Sequence, residues 1–343
     1  MQVEFRHIHK HFGSVHANND IDLTIPGGSI QGLLGENGAG KSTLMKILSG
    51  FIPADSGDIL LDGRVVNIDS PVGAIAHGVG MLHQDPLDFP PMRVVDNLLI
   101  GSSTRLFPRK QAAVRALQQL QKDLDFAINP EAYVDTLTVG ERQQLELVRL
   151  LWLGANVLIL DEPTTGISAN QKTKLFRALR WLVSQGKTVL FVTHKLQEAE
   201  ELCDRVAILR HGKLVGEMPP PYRTADFVEK MFGRPIELPA RQAATPGATT
   251  LTFRGIRVED GRLRVGPLDL DVRAGEVIGL AGMEGSGQDV FLRMCAGLIQ
   301  PVEGTVTLDG TPLENLSYRG HLRQRVRYVP ADRLKEGLVA GLS

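Results

Sequence analysis

The sequence is poor in cysteine: Cys203 and Cys295 are the only two in 343 residues. They stand far apart and show no metal-ligand spacing, which excludes a disulfide framework and suits a reducing compartment. Neither sign of charge predominates, with 38 basic against 39 acidic residues and a formal net charge of −1. Nothing in that balance advertises a nucleic-acid surface, and nucleic acid is not an expected partner. Long apolar runs are missing as well. The stretches Asn156–Leu160 and Thr188–Val192 fall far short of the roughly 20 residues needed to span a bilayer. Met1–Phe5 has no basic segment followed by an apolar one, so no export signal is expected there. What remains is a globular composition, 43% hydrophobic and 22% charged, at a length that suits two domains better than one.

An internal repeat organises the chain. Pro26–Gly35 reads like Arg273–Gly282, an offset of 282 − 35 = 247 residues. At that offset Gly28 falls on Gly275, Gly40 on Gly287, Gly50 on Gly297, Gly57 on Gly304, Asp62-Gly63 on Asp309-Gly310 and Val79 on Val326. A duplicated domain is expected, with a first copy over residues 1–236 and a shorter second copy over 251–343. Between them, residues 237–250 are small and Pro-containing, which suits an exposed linker. In the first copy Ser29–Leu34 is a short apolar run leading into a glycine loop, and Ser42–Leu48 carries helical spacing. The runs Val157–Leu160 and Val189–Val192 end in polar residues, as buried parallel strands do at their carboxyl ends. Val114, Leu117, Leu120 and Leu124 recur with a helical period. The reading is an α/β domain with a mostly helical insertion around residues 86–150.

Gly35-Glu36-Asn37-Gly38-Ala39-Gly40-Lys41-Ser42 matches the phosphate-loop pattern, placed between a strand and a helix. Its glycines let successive backbone N–H groups turn toward phosphate oxygens, and the helix start adds partial positive charge. Lys41 is the candidate partner of the β- and γ-phosphates, and the Ser42 hydroxyl a candidate Mg²⁺ ligand. Val157–Leu160 then runs into Asp161-Glu162, two carboxylates at a strand end. One can hold Mg²⁺ while the next polarises a water aimed at the γ-phosphate.

Taken in order, Gly35–Ser42, Gln84, Leu137-Thr-Val-Gly-Glu141, Asp161-Glu162 and His194 resemble the motif series of an ABC ATPase, which is built on the P-loop NTPase fold. The resemblance implies ATP and Mg²⁺ as cofactors. It implies Glu162 as general base, Gln84 as sensor of the metal or attacking water, and His194 as a contact to the γ-phosphate. Gly35, Asn37, Gly38, Gly40, Lys41, Ser42 and Thr43 hold the nucleotide in this picture, and Phe12 stacks on adenine. Ser42, Gln84 and Asp161 surround the metal. Thr138, Gly140 and Glu141 form the signature loop, which reaches the nucleotide of a facing domain. The pattern departs from the usual signature in Val139, where glycine is common, and in Glu141, where glutamine is. Ser168 stands where many members have aspartate. These features resemble the branch with two fused domains that imports simple sugars or nucleosides. His83-Gln84, Val139–Gln143, Thr193–Leu196, Asp204–Val206 and Gly282–Gln288 lean toward its nucleoside importers.

That resemblance implies transmembrane permease subunits as partners, a substrate-binding protein acting through them, and a place on the cytoplasmic face of the membrane. It also implies an ATP sandwich, formed between domains or between two copies. Leu87, Phe89, Met92 and Val94 are candidates for an apolar groove that receives the permease. The second copy has Gln288 in place of Lys41, Asp289 in place of Ser42 and Ala331 in place of Gln84, so a poor hydrolytic site is expected there. The residues stop before a second signature, and a fragment of a longer tandem chain is expected over pairing of two first domains. The rival readings are a soluble ABC ATPase acting on ribosomes or DNA, and a nucleotide-responsive module without catalysis. The short uncharged linker speaks against the first, and the presence of Asp161, Glu162 and His194 against the second.

Overall fold

The computed structural model describes residues 1–83, 87–100, 110–233, 245–261, 263–282, 286–313, 315–330 and 336–337. It separates into two compact units, Met1–Glu237 and Leu238–Ser343.

The first unit opens with an antiparallel pair, β1 (Val3–Phe12) and β2 (Val15–Ile25). Val3, Phe5 and Ile8 of β1 and Ile21, Leu23 and Ile25 of β2 are all buried. Phe5 and Ile8 share the inner face because the register slips between them, the effect of a bulge. The chain continues through β3 (Ile30–Leu34), α1 (Lys41–Leu48), β4 (Ser56–Leu61), β5 (Arg64–Val66), α2 (Pro71–Ala76) and β6 (Val79–Leu82). The helical part follows, with α3 (Val94–Leu99), α4 (Lys110–Leu124) and α5 (Val139–Trp152). In α4 the buried residues are Ala113, Leu117 and Leu124, and Leu117 and Leu124 join a core shared with Val94, Leu98 and Leu145. The unit is completed by β7 (Val157–Asp161), α6 (Ala169–Ser184), β8 (Thr188–Val192), α7 (Leu196–Leu202), β9 (Arg205–Arg210), β10 (Lys213–Met218) and α8 (Thr224–Phe232).

Two sheets result, an antiparallel one in the order β2-β1-β4-β5 and a six-stranded one in the order β10-β9-β3-β8-β7-β6. In the larger sheet β9, β3, β8, β7 and β6 run parallel, with β10 antiparallel at the edge. Every residue of β3, β7 and β8 is buried, as expected of parallel strands covered on both faces. Strand order reverses at β3, so the crevice beyond its carboxyl end is where such sheets bind ligands.

The second unit contains β11 (Thr249–Asp260), β12 (Leu263–Arg273), α9 (Gln288–Cys295), β13 (Glu303–Leu308), β14 (Thr311–Pro312) and α10 (Tyr318–Arg323). Its sheet order, β12-β11-β13-β14, reproduces β2-β1-β4-β5. Helix α9 lies 288 − 41 = 247 residues beyond α1, and α10 lies 318 − 71 = 247 beyond α2. The correspondence stops at the parallel sheet. Residues 277–281, which match β3, form no strand, and Val277 is 96% exposed. In the first unit β3 is held between β8 and β9, and the described residues of the second unit contain no counterpart of either.

Candidate nucleotide site

The phosphate loop leaves β3 at Leu34 and enters α1 at Lys41. Gly40 caps the helix with φ +100°, and a Cβ there would lie 2.2 Å from the Ala17 carbonyl oxygen. Gly35 is as constrained, since its Cβ would meet the Leu209 carbonyl oxygen at 2.4 Å. Glycine at both positions therefore follows from close backbone approach as well as from φ. Asn18, fully buried on β2, donates from Nδ2 to the Gly40 carbonyl at 3.1 Å. The Gly212 amide donates to the Ala39 carbonyl at 3.1 Å. Neither brace was anticipated from sequence, because each reaches the loop from a distant strand or turn.

Lys41 is buried, and its Nζ donates to the carbonyls of Gly35 at 2.7 Å and Glu36 at 2.9 Å. Burial pulls its pKa down, opposed by the charges of Glu162, Asp161 and Glu36. Asp161 closes β7 and is 8% exposed. Burial pushes its carboxyl up, a hydrogen bond from Ser42 pulls it down, and neighbouring Glu162 pushes it up again. The hydrogen bond brings two oxygen donors together, the set a hard divalent cation such as Mg²⁺ selects.

Glu162 sits at φ +49°, its amide donating to the Val192 carbonyl at 3.0 Å. Its Oε1 is 2.7 Å from His194 Nδ1. Beneath this pair lies a buried network centred on Glu198. The Glu198 carboxylate accepts from Thr164 Oγ1 at 2.8 Å and Thr193 Oγ1 at 3.2 Å, and Lys195 Nζ is 3.3 Å from it. It fixes the turns after β7 and β8 that carry Glu162 and His194. Lys41, Ser42, Asp161, Glu162 and His194 thus converge at the carboxyl ends of β3, β7 and β8.

Other expected site residues stand apart. Phe12 ends β1 half exposed, with Lys10 Nζ 5.7 Å above its ring. Asn37 and Gly38 are exposed on the loop, and Thr43 is half-buried on α1. Thr138 and Glu141 form a capping box at the start of α5. The Thr138 amide and hydroxyl both donate to Glu141 Oε2 at 2.8 Å. A Cβ on Gly140 would lie 2.5 Å from Gln171 Nε2. Gln84 lies outside the described residues. Around the expected groove, Leu87 is half exposed beside Phe51, Val72, Ile75 and His83, and lines an apolar recess with them. Val94 does not line it. It is fully buried on α3, where packing against Leu98 and Leu117 takes it into the core. In the second unit Gln288 opens α9 where Lys41 opens α1, and it accepts from Ser286 Oγ at 2.9 Å.

A glycine loop at the end of a central parallel strand, facing an acidic strand end, defines a P-loop nucleotide-binding fold. Solved structures share it. A nucleotide-free ATP-binding cassette from an ABC transporter superposes with a TM-score of 0.60 at 22% identity, covering 68% of this chain and 96% of that one. The ADP conformation of MJ1267, an ATP-binding cassette of an ABC transporter, gives 0.61 at 22% identity over 68% and 100%. The family model described as ABC transporter matches residues 18–165 and 265–341, and the chain belongs to that family. The Lactococcus lactis nucleoside import ATP-binding protein NupA is 33% identical over 98% of this chain and 68% of its own length. The Chromobacterium violaceum ribose import ATP-binding protein RbsA is 38% identical, over 100% and 69%. The Bacillus subtilis guanosine import ATP-binding protein NupO is 36% identical, over 98% and 67%.

Proposed function

We propose that this chain is the ATP-hydrolysing subunit of a membrane importer of a nucleoside or a simple sugar. The observation that carries the proposal is the convergence of Lys41, Ser42, Asp161, Glu162 and His194 on one edge of the parallel sheet. The likeness to nucleoside, ribose and guanosine import ATP-binding proteins supplies the cargo class. Cargo choice between nucleoside and sugar rests with the partner proteins, since no residue of this site touches the cargo.

In this reading the nucleotide's β- and γ-phosphates lie in the Gly35–Ser42 loop, with adenine against the exposed ring of Phe12. Lys41 exchanges the Gly35 and Glu36 carbonyls for phosphate oxygens. Ser42 and Asp161, with Gln84, would hold Mg²⁺, which would neutralise charge on the phosphate oxygens. Glu162 takes a proton from the attacking water, and His194 orients Glu162 and meets the γ-phosphate. Because these charges are placed before reaction, little reorganisation accompanies bond cleavage. Thr138, Gly140 and Glu141 complete the site of a facing domain in an ATP sandwich. Gln288 and Asp289 leave the second unit without the cation and hydroxyl that this chemistry needs.

Permease subunits are the membrane partner, docking at the recess around Leu87, and a substrate-binding protein acts through them. Among the described residues no helix is long and apolar enough to cross a membrane. The chain on this account works at the cytoplasmic face. The test is uptake of radiolabelled ribose and guanosine by cells whose importer carries this chain or its Glu162→Gln variant. Uptake of either cargo that stops in the variant supports the proposal, and uptake indifferent to the variant overturns it.

A further inference from the structure

The outer face of the β1–β2 hairpin carries a group of side chains that nucleotide chemistry does not use. Ile8 and Ile21 are register partners, both fully buried. His7 and His9 flank Ile8, while Asp20 and Asp22 flank Ile21, and these four stand on the opposite, solvent side. His7 Nδ1 lies 2.8 Å from Asp20 Oδ1 and 3.3 Å from Asp22 Oδ2, and His9 Nε2 lies 3.7 Å from Asp20 Oδ1. Ligand atoms of His7, Asp20 and Asp22 all fall within 4.8 Å of one another. Behind them, His9 Nδ1 is 3.2 Å from His16 Nε2.

We propose that His7, His9, Asp20 and Asp22 form a binding site for a borderline divalent transition metal of the Zn²⁺ class. A tetrahedral ion with bonds of about 2.0–2.1 Å spaces its ligands about 3.3–3.4 Å apart, and the three distances bracket that value. Two imidazoles with two carboxylates select such an ion over Mg²⁺ or Ca²⁺, which favour all-oxygen sets.

The second hairpin shows that the fold does not need these histidines. There Ile256 pairs with Leu268 as Ile8 pairs with Ile21, which places Gly255 at the His7 position and Arg257 at that of His9. Pro267 and Asp269 stand for Asp20 and Asp22. The Gly255 amide donates to Asp269 Oδ1 at 2.7 Å, just as the His7 amide donates to Asp22 Oδ1 at 3.0 Å. The backbone geometry at the His7 and Gly255 positions is therefore common to both hairpins. Gly255 has φ +58° and His7 φ +50°, a region where glycine is at ease and a side chain is strained. A histidine at that φ is held where glycine is more at ease, which points to a role beyond folding.

The test uses the full chain without nucleotide, titrated with Co²⁺ by visible absorption and with Zn²⁺ by calorimetry. The proposal predicts one ion per chain with the spectrum of tetrahedral cobalt. His7→Gly and Asp20→Asn should each weaken binding at least about tenfold, while His77→Gln, an exposed site elsewhere, leaves it unchanged. His7→Gly copies the second hairpin, so its melting temperature should not fall. Absence of binding to the wild type would mean an ordinary imidazole–carboxylate ion pair and overturn the proposal. Wild-type affinity in His7→Gly would overturn it equally.

Discussion

His194 Nδ1 lies 2.7 Å from Glu162 Oε1, a pairing made by the parallel alignment of β7 with β8. Asp161 is level with Val192 in that register, so the residues just past each strand end meet over the phosphate loop. Glu162→Gln keeps the shape and removes the base. ATP hydrolysis should fall by about 10²–10⁴-fold, with ATP affinity retained, as steady-state rates and equilibrium binding on one preparation can establish.

Asp161 yields a pH prediction of definite sign. Burial raises its pKa in the folded protein above the ordinary carboxylate value, so ionisation at neutral pH opposes folding. Its favourable contribution is complete below the ordinary carboxylate value and is lost as pH rises through the raised one. Asp161→Asn should therefore raise the melting temperature of the nucleotide-free chain at neutral pH, and the gain should shrink on acidification. Thermal melts across that range check both halves. The same variant should lose hydrolysis, because the site holds a charge that folding alone would discard.

Gly40 and Gly154 separate conformational strain from steric contact. Both have positive φ, +100° and +91°, but a Cβ at Gly154 meets nothing within 4 Å. Gly154→Ala should cost about 1–2 kcal/mol and leave ATP binding intact. Gly40→Ala must also push apart the Ala17 backbone, so it should cost more and abolish ATP binding. Denaturant titration with ATP-binding measurements on both variants tests the contrast.

Arg142, one residue past the capping box of α5, forms a bidentate pair with Asp88, at 2.7 Å and 2.5 Å. The Asp88 side chain is only 3% exposed, so removing Arg142 strands a carboxylate. Arg142→Met should lower stability by up to about 3 kcal/mol, readable in denaturant melts. The pair links the start of α5 to the segment holding Leu87. Leu87→Glu should stop uptake while hydrolysis by the isolated chain stays at the wild-type rate, because the change touches the recess and not the phosphate loop.

The phosphate loop and the acidic strand end were legible because each is a contiguous segment whose residue types serve one chemistry. The repeat was legible for a similar reason, since glycines at positive φ recur at a fixed spacing. Asn18, Glu198 and Asp88 were not. Their contacts with Gly40, Thr164 and Arg142 span 22, 34 and 54 residues, and only the folded sheet brings them together. Val94 was misread because an apolar residue beside a proline-rich stretch carries no mark of whether it faces the core or a recess. The exposure of Val277 was hidden too, since an apolar run that matches β3 becomes a strand only between neighbours.

The most direct test of the central claim, a working ATP site at Lys41 with Glu162 as base, is ATP binding and turnover by this chain over a wide range of protein concentration. Wild type, Lys41→Ala and Glu162→Gln are compared. The account predicts that wild type and Glu162→Gln bind ATP and Lys41→Ala does not. Turnover, where copies of this chain pair into a sandwich, rises per chain with concentration and collapses in Glu162→Gln. Equal ATP binding by wild type and Lys41→Ala, or undiminished turnover in Glu162→Gln, would contradict it.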